Sequence, residues 1–315
     1  MKCWLVVLLF PVLLLGCSPA AAFFPEGDTE MDVAPEKELI SKTQPIPESY
    51  SSPVEKGGSI VTISYRTKNY ADGGNADRTN EAQIYLPEAH DREVKYDVLY
   101  LVHGHYGNAS TYFSVDGGLL KNVLDHLIAD GAVRPMIVVT PSYNYGQPTP
   151  DYVDADKYCR ALTDELRYDL MPLIEKEYGA STDRSHRAVG GFSMGAVTTW
   201  YAFERNLDQF KFFMPFSGDS WSLGAFAGMN RPDETASFLA GIVQSSGLSF
   251  MIWAAAGTSD SAYRETLNQI EGMARLEDVF NTSNMTFHEK DGARHEYRPT
   301  IEYLYNALPE LFPAD

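Results

Sequence analysis

The 315-residue chain has little cysteine and little positive charge: three cysteines, and 25 Lys and Arg against 43 Asp and Glu, for a formal charge of −18. Three thiols cannot build the disulfide frameworks that staple small exported domains. The acidic balance argues against nucleic acid as a partner, because such a surface repels phosphate and releases no counterions on meeting it. HExxH, CxxC and GxxxxGK[ST] are all missing and the seven histidines are scattered, so no metal and no cofactor is indicated. The apolar run within residues 2–16 is too short for a comfortable membrane span. Core material is plentiful, with 44% hydrophobic and 12% aromatic residues, enough to fill a sizeable interior.

That early apolar run follows a single lysine and reads as an export signal. It ends in Leu14, Leu15, Gly16 and Cys17, which resembles the lipobox of bacterial lipoproteins. The resemblance implies that residues 1–16 are removed and that Cys17 becomes a lipidated first residue. The expected location is extracellular, held to a bacterial membrane through the lipid alone. A signal cleaved near Ala20, Ala21 and Ala22 is the alternative, and it also exports the chain. Six of the 18 prolines fall in residues 19–56, and residues 22–56 carry eight acids against three lysines. Such a stretch cannot bury enough apolar surface to fold by itself. Residues 17–56 are therefore expected to be a tether and residues 57–315 the folded domain.

From residue 57 the pattern changes. SIVTISYRT and NEAQIYLP alternate like the strands of an antiparallel hairpin. Short apolar runs follow at 96–104, 135–143, 187–193, 210–218, 249–257 and 285–292, separated by helical patterns at 118–130, 155–178, 194–206, 234–246, 261–278 and 298–311. Strands that are apolar on both faces and alternate with helices predict a mostly parallel central sheet covered by helices on both faces. In that α/β architecture ligands meet the carboxyl ends of the strands. Cys159 falls among Leu162, Leu166, Leu170, Leu173 and Ile174 at helical spacing, so it is expected to be a buried helix residue rather than a nucleophile.

The run at 187–193 ends in Gly191, Phe192, Ser193, Met194 and Gly195. This is G-x-S-x-G between a strand and a helix, where the glycines permit a turn sharp enough to present a serine oxygen at the sheet edge. A serine hydroxyl needs a base, and the base an orienting acid. Asp260 follows the strand ending in AAAG and His295 follows the next one, so Ser193, Asp260 and His295 appear in α/β-hydrolase order. Asp219 also stands at a strand end and is the rival acid. Backbone N–H groups for an oxyanion hole are expected from Met194, next to the nucleophile, and from His105 in LVHGHYGN. His103 and His105 are read as loop architecture, and His90, His126, His186 and His288 as surface or satisfied polar residues. Tyr106, Tyr143, Tyr145, Tyr152 and Trp221 lie near predicted strand ends and are candidates for binding a phenolic acid or sugar ring. The loop YNYGQPTPDY is the candidate substrate rim.

LVHGHYGN, DLMPLIEKEYG, STDRSHRAVGGFSMGAVTTW, FFMPFSGDSW, AAAGTSD and GARHEY resemble, in that order, the esterase D-like group of α/β-hydrolases. The feruloyl and acetyl xylan esterases of carbohydrate esterase family 1 are the closest members in pattern, over residues 58–312. The resemblance implies Ser193 as nucleophile, His295 as base and Asp260 as acid. It further implies a serine carboxylesterase that cleaves feruloyl or acetyl esters of plant cell-wall xylan through an acyl-enzyme, with an ester-decorated polysaccharide or oligosaccharide as partner. Two positions depart from the family pattern: Ala196 replaces a second glycine, and HGHYG replaces HGxGG. The second leaves the acyl group open. An acyltransferase or peptidase on the same fold, and a non-catalytic carbohydrate-binding lipoprotein, are the alternatives.

Overall fold

In a computed structural model, the description covers Met1, residues 38–144 and residues 151–314. The export signal, Cys17 and residues 17–37 of the expected tether lie outside the described residues.

Nine strands among these residues form one sheet in the order β1-β9-β8-β7-β6-β4-β5-β3-β2. They are β1 (Ile40–Lys42), β2 (Ser59–Lys68), β3 (Asp77–Leu86), β4 (Asp97–Val102), β5 (Met136–Pro141), β6 (Arg187–Phe192), β7 (Phe212–Phe216), β8 (Met251–Gly257) and β9 (Met285–Lys290). Only β3 runs against its neighbours, pairing antiparallel with both β2 and β5; the other pairings are parallel. The helices are α1 (Thr111–Ser114), α2 (Leu119–Ala129), α3 (Tyr152–Glu165), α4 (Met171–Tyr178), α5 (Met194–Arg205), α6 (Ala227–Asn230), α7 (Pro232–Ser246), α8 (Tyr263–Ala274) and α9 (Tyr297–Leu311).

The alternation along β4 shows how the sheet divides two cores. Val98, Tyr100 and Val102 face a layer with Leu162, Ile174, Trp200, Leu239 and Ile270 from α3, α4, α5, α7 and α8. Leu99 and Leu101 face the other way, onto Leu120, Val123 and Leu124 of α2 and Ile301, Leu304 and Leu308 of α9. Every residue of β4, β5 and β6 is buried, as strands with covered faces require. The expected hairpin, six parallel strands and covering helices are all present. The chain goes outward from β4 to β5 and then returns to the far side of β4 as β6, so the strand order reverses there. Crevices open at such a reversal.

Two features differ from the sequence reading. The domain begins before residue 57: β1 pairs with β9 through Ile40–Phe287, Ser41–His288 and Lys42–Glu289. Tyr50 is buried, stacks on His126 at 4.4 Å and donates its hydroxyl to Asp130 Oδ2. Proline and acid content read residues 38–56 as tether, but the segment has no need of its own core when it borrows a sheet edge and the α2–α9 surface. The second difference lies in the expected 155–178 helix. It begins at Tyr152 under an Asp151 cap and widens into a π-helical turn at Leu166–Leu170. Around that turn Glu165 accepts from Tyr65 Oη and Asn80 Nδ2, and Asp169 accepts from Thr67 and Tyr70, tying the helix to the β2–β3 hairpin.

Candidate active site

The strand reversal brings the ends of β4, β6, β7, β8 and β9 to one rim. Ser193 stands on the turn from β6 to α5 with φ 57° and ψ −116°, a conformation that non-glycine residues avoid unless the surroundings hold them there. The flanking glycines explain how it is held. A Cβ on Gly195 would lie 2.1 Å from the Val102 carbonyl oxygen, and one on Gly191 would lie 2.4 Å from the same atom. The turn can pack on the end of β4 only because both side chains are missing.

His295, in the β9–α9 loop, places Nε2 3.0 Å from Ser193 Oγ and Nδ1 2.7 Å from Asp260 Oδ1. Its ring leans on Phe192, centroid to centroid 4.4 Å. Asp260, after β8, is buried; its Oδ1 also accepts the Ala262 N–H at 2.7 Å, while Oδ2 is sealed with no hydrogen-bond partner among the described residues. The rival Asp219 faces elsewhere. Its two oxygens accept from Trp221 Nε1 at 2.9 Å and from the Met229 N–H at 2.8 Å, and burial pushes its carboxyl up to about 6.

Met194 opens α5, so its N–H is among the first of the helix, which have no carbonyl of their own to meet. His105 belongs to a loop braced from three sides. Tyr297 Oη accepts the Gly104 N–H at 2.7 Å, Gly107 N–H donates to Gly104 O at 3.0 Å, and Tyr143 Oη donates to His105 O at 3.1 Å. The loop's base touches the serine turn, since a Cβ on Gly104 would meet the Phe192 ring and carbonyl at 3.2 Å. His103 is buried, stacks on Tyr143 at 4.4 Å and sets Nδ1 2.7 Å from Gly104 O. Burial holds its imidazole down at about 4, so it is neutral. Burial likewise lowers His105, with Asp151 opposing that shift. Both histidines are loop architecture.

The aromatic candidates separate. Tyr143 supports the loop from beneath. Tyr106 is 84% exposed at the loop tip. Trp221 is 4% exposed and lines a cleft of about 150 Å³ with Ser193, Met194, Val197, Phe226 and His295. Tyr145 and residues 145–150 of the expected rim loop lie outside the described residues, as does the side chain of Tyr152. Cys159 is buried on α3 with Sγ 3.4 Å from Met194 O, and burial pushes its thiol up. The remaining histidines are all partnered: His90 by Tyr178 O, His126 by Ser52 O, His186 by Asp97 and His288 by Thr286 and Ser41. Residues at the rim that were not anticipated include Tyr297, which anchors the loop, and Val197, Ser217, Phe226 and Glu265, which line the cleft. Only Tyr297 had a signal, two positions after His295.

The Esterase family model matches residues 74–310. This chain belongs to the Esterase family. Over 287 residues, 85% of the chain, it is 35% identical to endo-1,4-beta-xylanase Y of Acetivibrio thermocellus, of whose length the chain spans 24%. Among solved structures it is similar to a serine-to-alanine mutant of the feruloyl esterase module from Clostridium thermocellum complexed with sinapinate. That likeness has a TM-score of 0.75 and 34% identity, over 88% of this chain and 95% of the other. A ferulic acid esterase from the anaerobic fungus Anaeromyces mucronatus shares the fold, with a TM-score of 0.67 at 21% identity over 87% of this chain and 97% of that one. The α/β-hydrolase fold expected from the strand order is the fold of this family.

Proposed function

We propose that this protein is a serine carboxylesterase that hydrolyses feruloyl esters of plant cell-wall xylan through an acyl-enzyme. The observation that carries the reading is the unbroken line from Ser193 Oγ to His295 Nε2, 3.0 Å, and from His295 Nδ1 to Asp260 Oδ1, 2.7 Å. With Nδ1–H donating to the Asp260 carboxylate, Nε2 keeps its lone pair for the serine proton. Ser193 Oγ attacks the ester carbonyl as His295 takes that proton, and the N–H groups of Met194 and His105 receive the developing oxyanion. The tetrahedral intermediate collapses, and His295 returns the proton to the leaving alcohol. Water then enters by the same base, and the free acid and Ser193 are regenerated. The xylanase and feruloyl esterase relatives support the choice of acyl group and polysaccharide. The aromatic wall of Trp221 and Phe226, 4.8 Å apart between centroids, suits a cinnamic ring better than an acetyl group. Export and lipidation at Cys17 belong to the same reading, since the substrate is a polymer outside the cell.

Ser193→Ala tests it. Hydrolysis of methyl ferulate should fall by several orders of magnitude while the melting temperature holds. Unchanged turnover removes the assignment.

A further inference from the structure

The cleft at Ser193 is apolar on one side, where Met194, Val197, Trp221 and Phe226 line it. It is not apolar throughout. Glu265, in the first turn of α8, presents a carboxyl group to it, and Ser217, just after β7, also lines it. Neither group has a hydrogen-bond partner among the described residues. Glu265 makes no hydrogen bond or ion pair to a described residue. Ser217 Oγ is sealed, with no hydrogen-bond partner among the described residues, and its backbone is held at φ 54°. Buried polar groups are normally satisfied, and an unsatisfied one is costly unless something else completes it. A sealed hydroxyl on a strained backbone beside a half-buried carboxyl with no partner among the described residues points to a ligand that meets the carboxyl.

The chemistry of that ligand follows from the two sides together. The apolar wall of Trp221 and Phe226, whose rings are tilted 53° to one another, takes an aromatic ring, and a carboxyl among such residues takes a hydroxyl on that ring. Resting on the esterase reading above, we propose that Glu265 is the group that selects the acyl part of the ester, by hydrogen-bonding the ring hydroxyl of a hydroxycinnamoyl group held against Trp221 and Phe226. Both forms of the carboxyl can serve. Burial, and then the charge of Asp219, push Glu265 up to about 7. The ionised group accepts the phenolic proton, and the neutral group can also donate to the phenolic oxygen. A site built around such a bond rejects analogues that lack the hydroxyl, because the half-buried carboxyl then loses its partner.

The experiment compares methyl ferulate with methyl 3-methoxycinnamate, which differs only by loss of the ring hydroxyl, and reads the ratio of the two kcat/KM values. In the native protein the ratio should favour the hydroxylated ester by about tenfold to a hundredfold, the worth of one hydrogen bond to a charged group. Glu265→Leu should lower that ratio at least about tenfold, and Glu265→Gln, which keeps an acceptor oxygen, should lower it less. A native ratio near one overturns the proposal, and so does a ratio that survives in Glu265→Leu while both rates fall together. That second outcome would make Glu265 an electrostatic neighbour of His295 and nothing more. The esterase reading fails differently, with the native protein cleaving neither ester.

Discussion

Two aspartates stand at neighbouring strand ends, and replacing each by asparagine separates their roles. Asp260 lies 2.7 Å from His295 Nδ1 and is buried. When His295 takes the serine proton, its positive charge forms beside this carboxylate. Two unit charges about 4 Å apart attract by about 4 kcal/mol at the effective dielectric suited to such sites. That attraction alone is worth on the order of a thousandfold in rate. Asparagine also offers an amide N–H to Nδ1, which favours the tautomer with hydrogen on Nε2 and removes the base. The combined loss should approach about ten-thousandfold in kcat. Asp219 instead holds Trp221 Nε1 and the Met229 N–H. Asp219→Asn loses one acceptor and loosens Trp221, which lines the cleft. Its effect should fall on KM, by about tenfold or less, with kcat within about threefold. Initial rates of methyl ferulate hydrolysis over a substrate series, with the melting temperature of each variant measured alongside, decide the matter. A larger kcat loss in Asp219→Asn than in Asp260→Asn would refute the reasoning.

Two further predictions concern stability. Burial pushes Glu165 up to about 7, against hydrogen bonds from Tyr65 and Asn80 that favour its ionised form. The folded state therefore holds this proton more tightly than the unfolded chain, and the contribution to stability declines as pH rises from about 4.5 to about 7. Glu165→Gln keeps an acceptor oxygen for both donors and has no proton to lose. It should gain on the native protein by roughly 2 kcal/mol between pH 5 and pH 8 in denaturant titrations; parallel pH curves would contradict this. A chain starting at residue 57 should be less stable than one starting at residue 38. It lacks the β1–β9 pairing, and it lacks Tyr50 with its hydroxyl bond to Asp130. Burial of the ring alone is worth about 2 kcal/mol, so the shorter chain should melt several degrees lower. Equal melting temperatures would mean that residues 38–56 add nothing.

The parts legible in the sequence are those whose cause is local. Buried parallel strands repeat an apolar run, the serine turn needs glycines that appear in the sequence, and Asp260 and His295 follow strands that are themselves recognisable. The parts that were not legible depend on surfaces made by distant segments. Ile40, Ser41 and Lys42 carry no strand signal; they pair because β9 leaves an edge open. Tyr50 is buried because α2 and α9 together form a place for it. The sequence favours Asp260 through the order Ser193, Asp260, His295 and keeps Asp219 as a rival, since both follow a strand and differ in where the loop turns next. The Asp260 backbone N–H closes onto Gly257 O at 3.0 Å and its carboxylate accepts the Ala262 N–H, which together fix the acid towards His295. Asp219 is instead turned in towards Met229 of α6, a four-residue helix that no periodicity announces.

Glu265 and Ser217 carry no local signal of that kind. Ser217 is one of many serines after a strand, and Glu265 sits in the first turn of α8, where an acid suits the positive end of the helix dipole on its own account. An acid placed only for the dipole gains by facing water, where its charge stays solvated. Glu265 instead faces a cleft shared with Trp221 and Phe226, where burial and the nearby Asp219 both oppose its charge. Helix capping alone therefore does not account for the position; on the proposal above, a hydroxyl on the bound acyl group would supply the hydrogen bond that favours a carboxyl there.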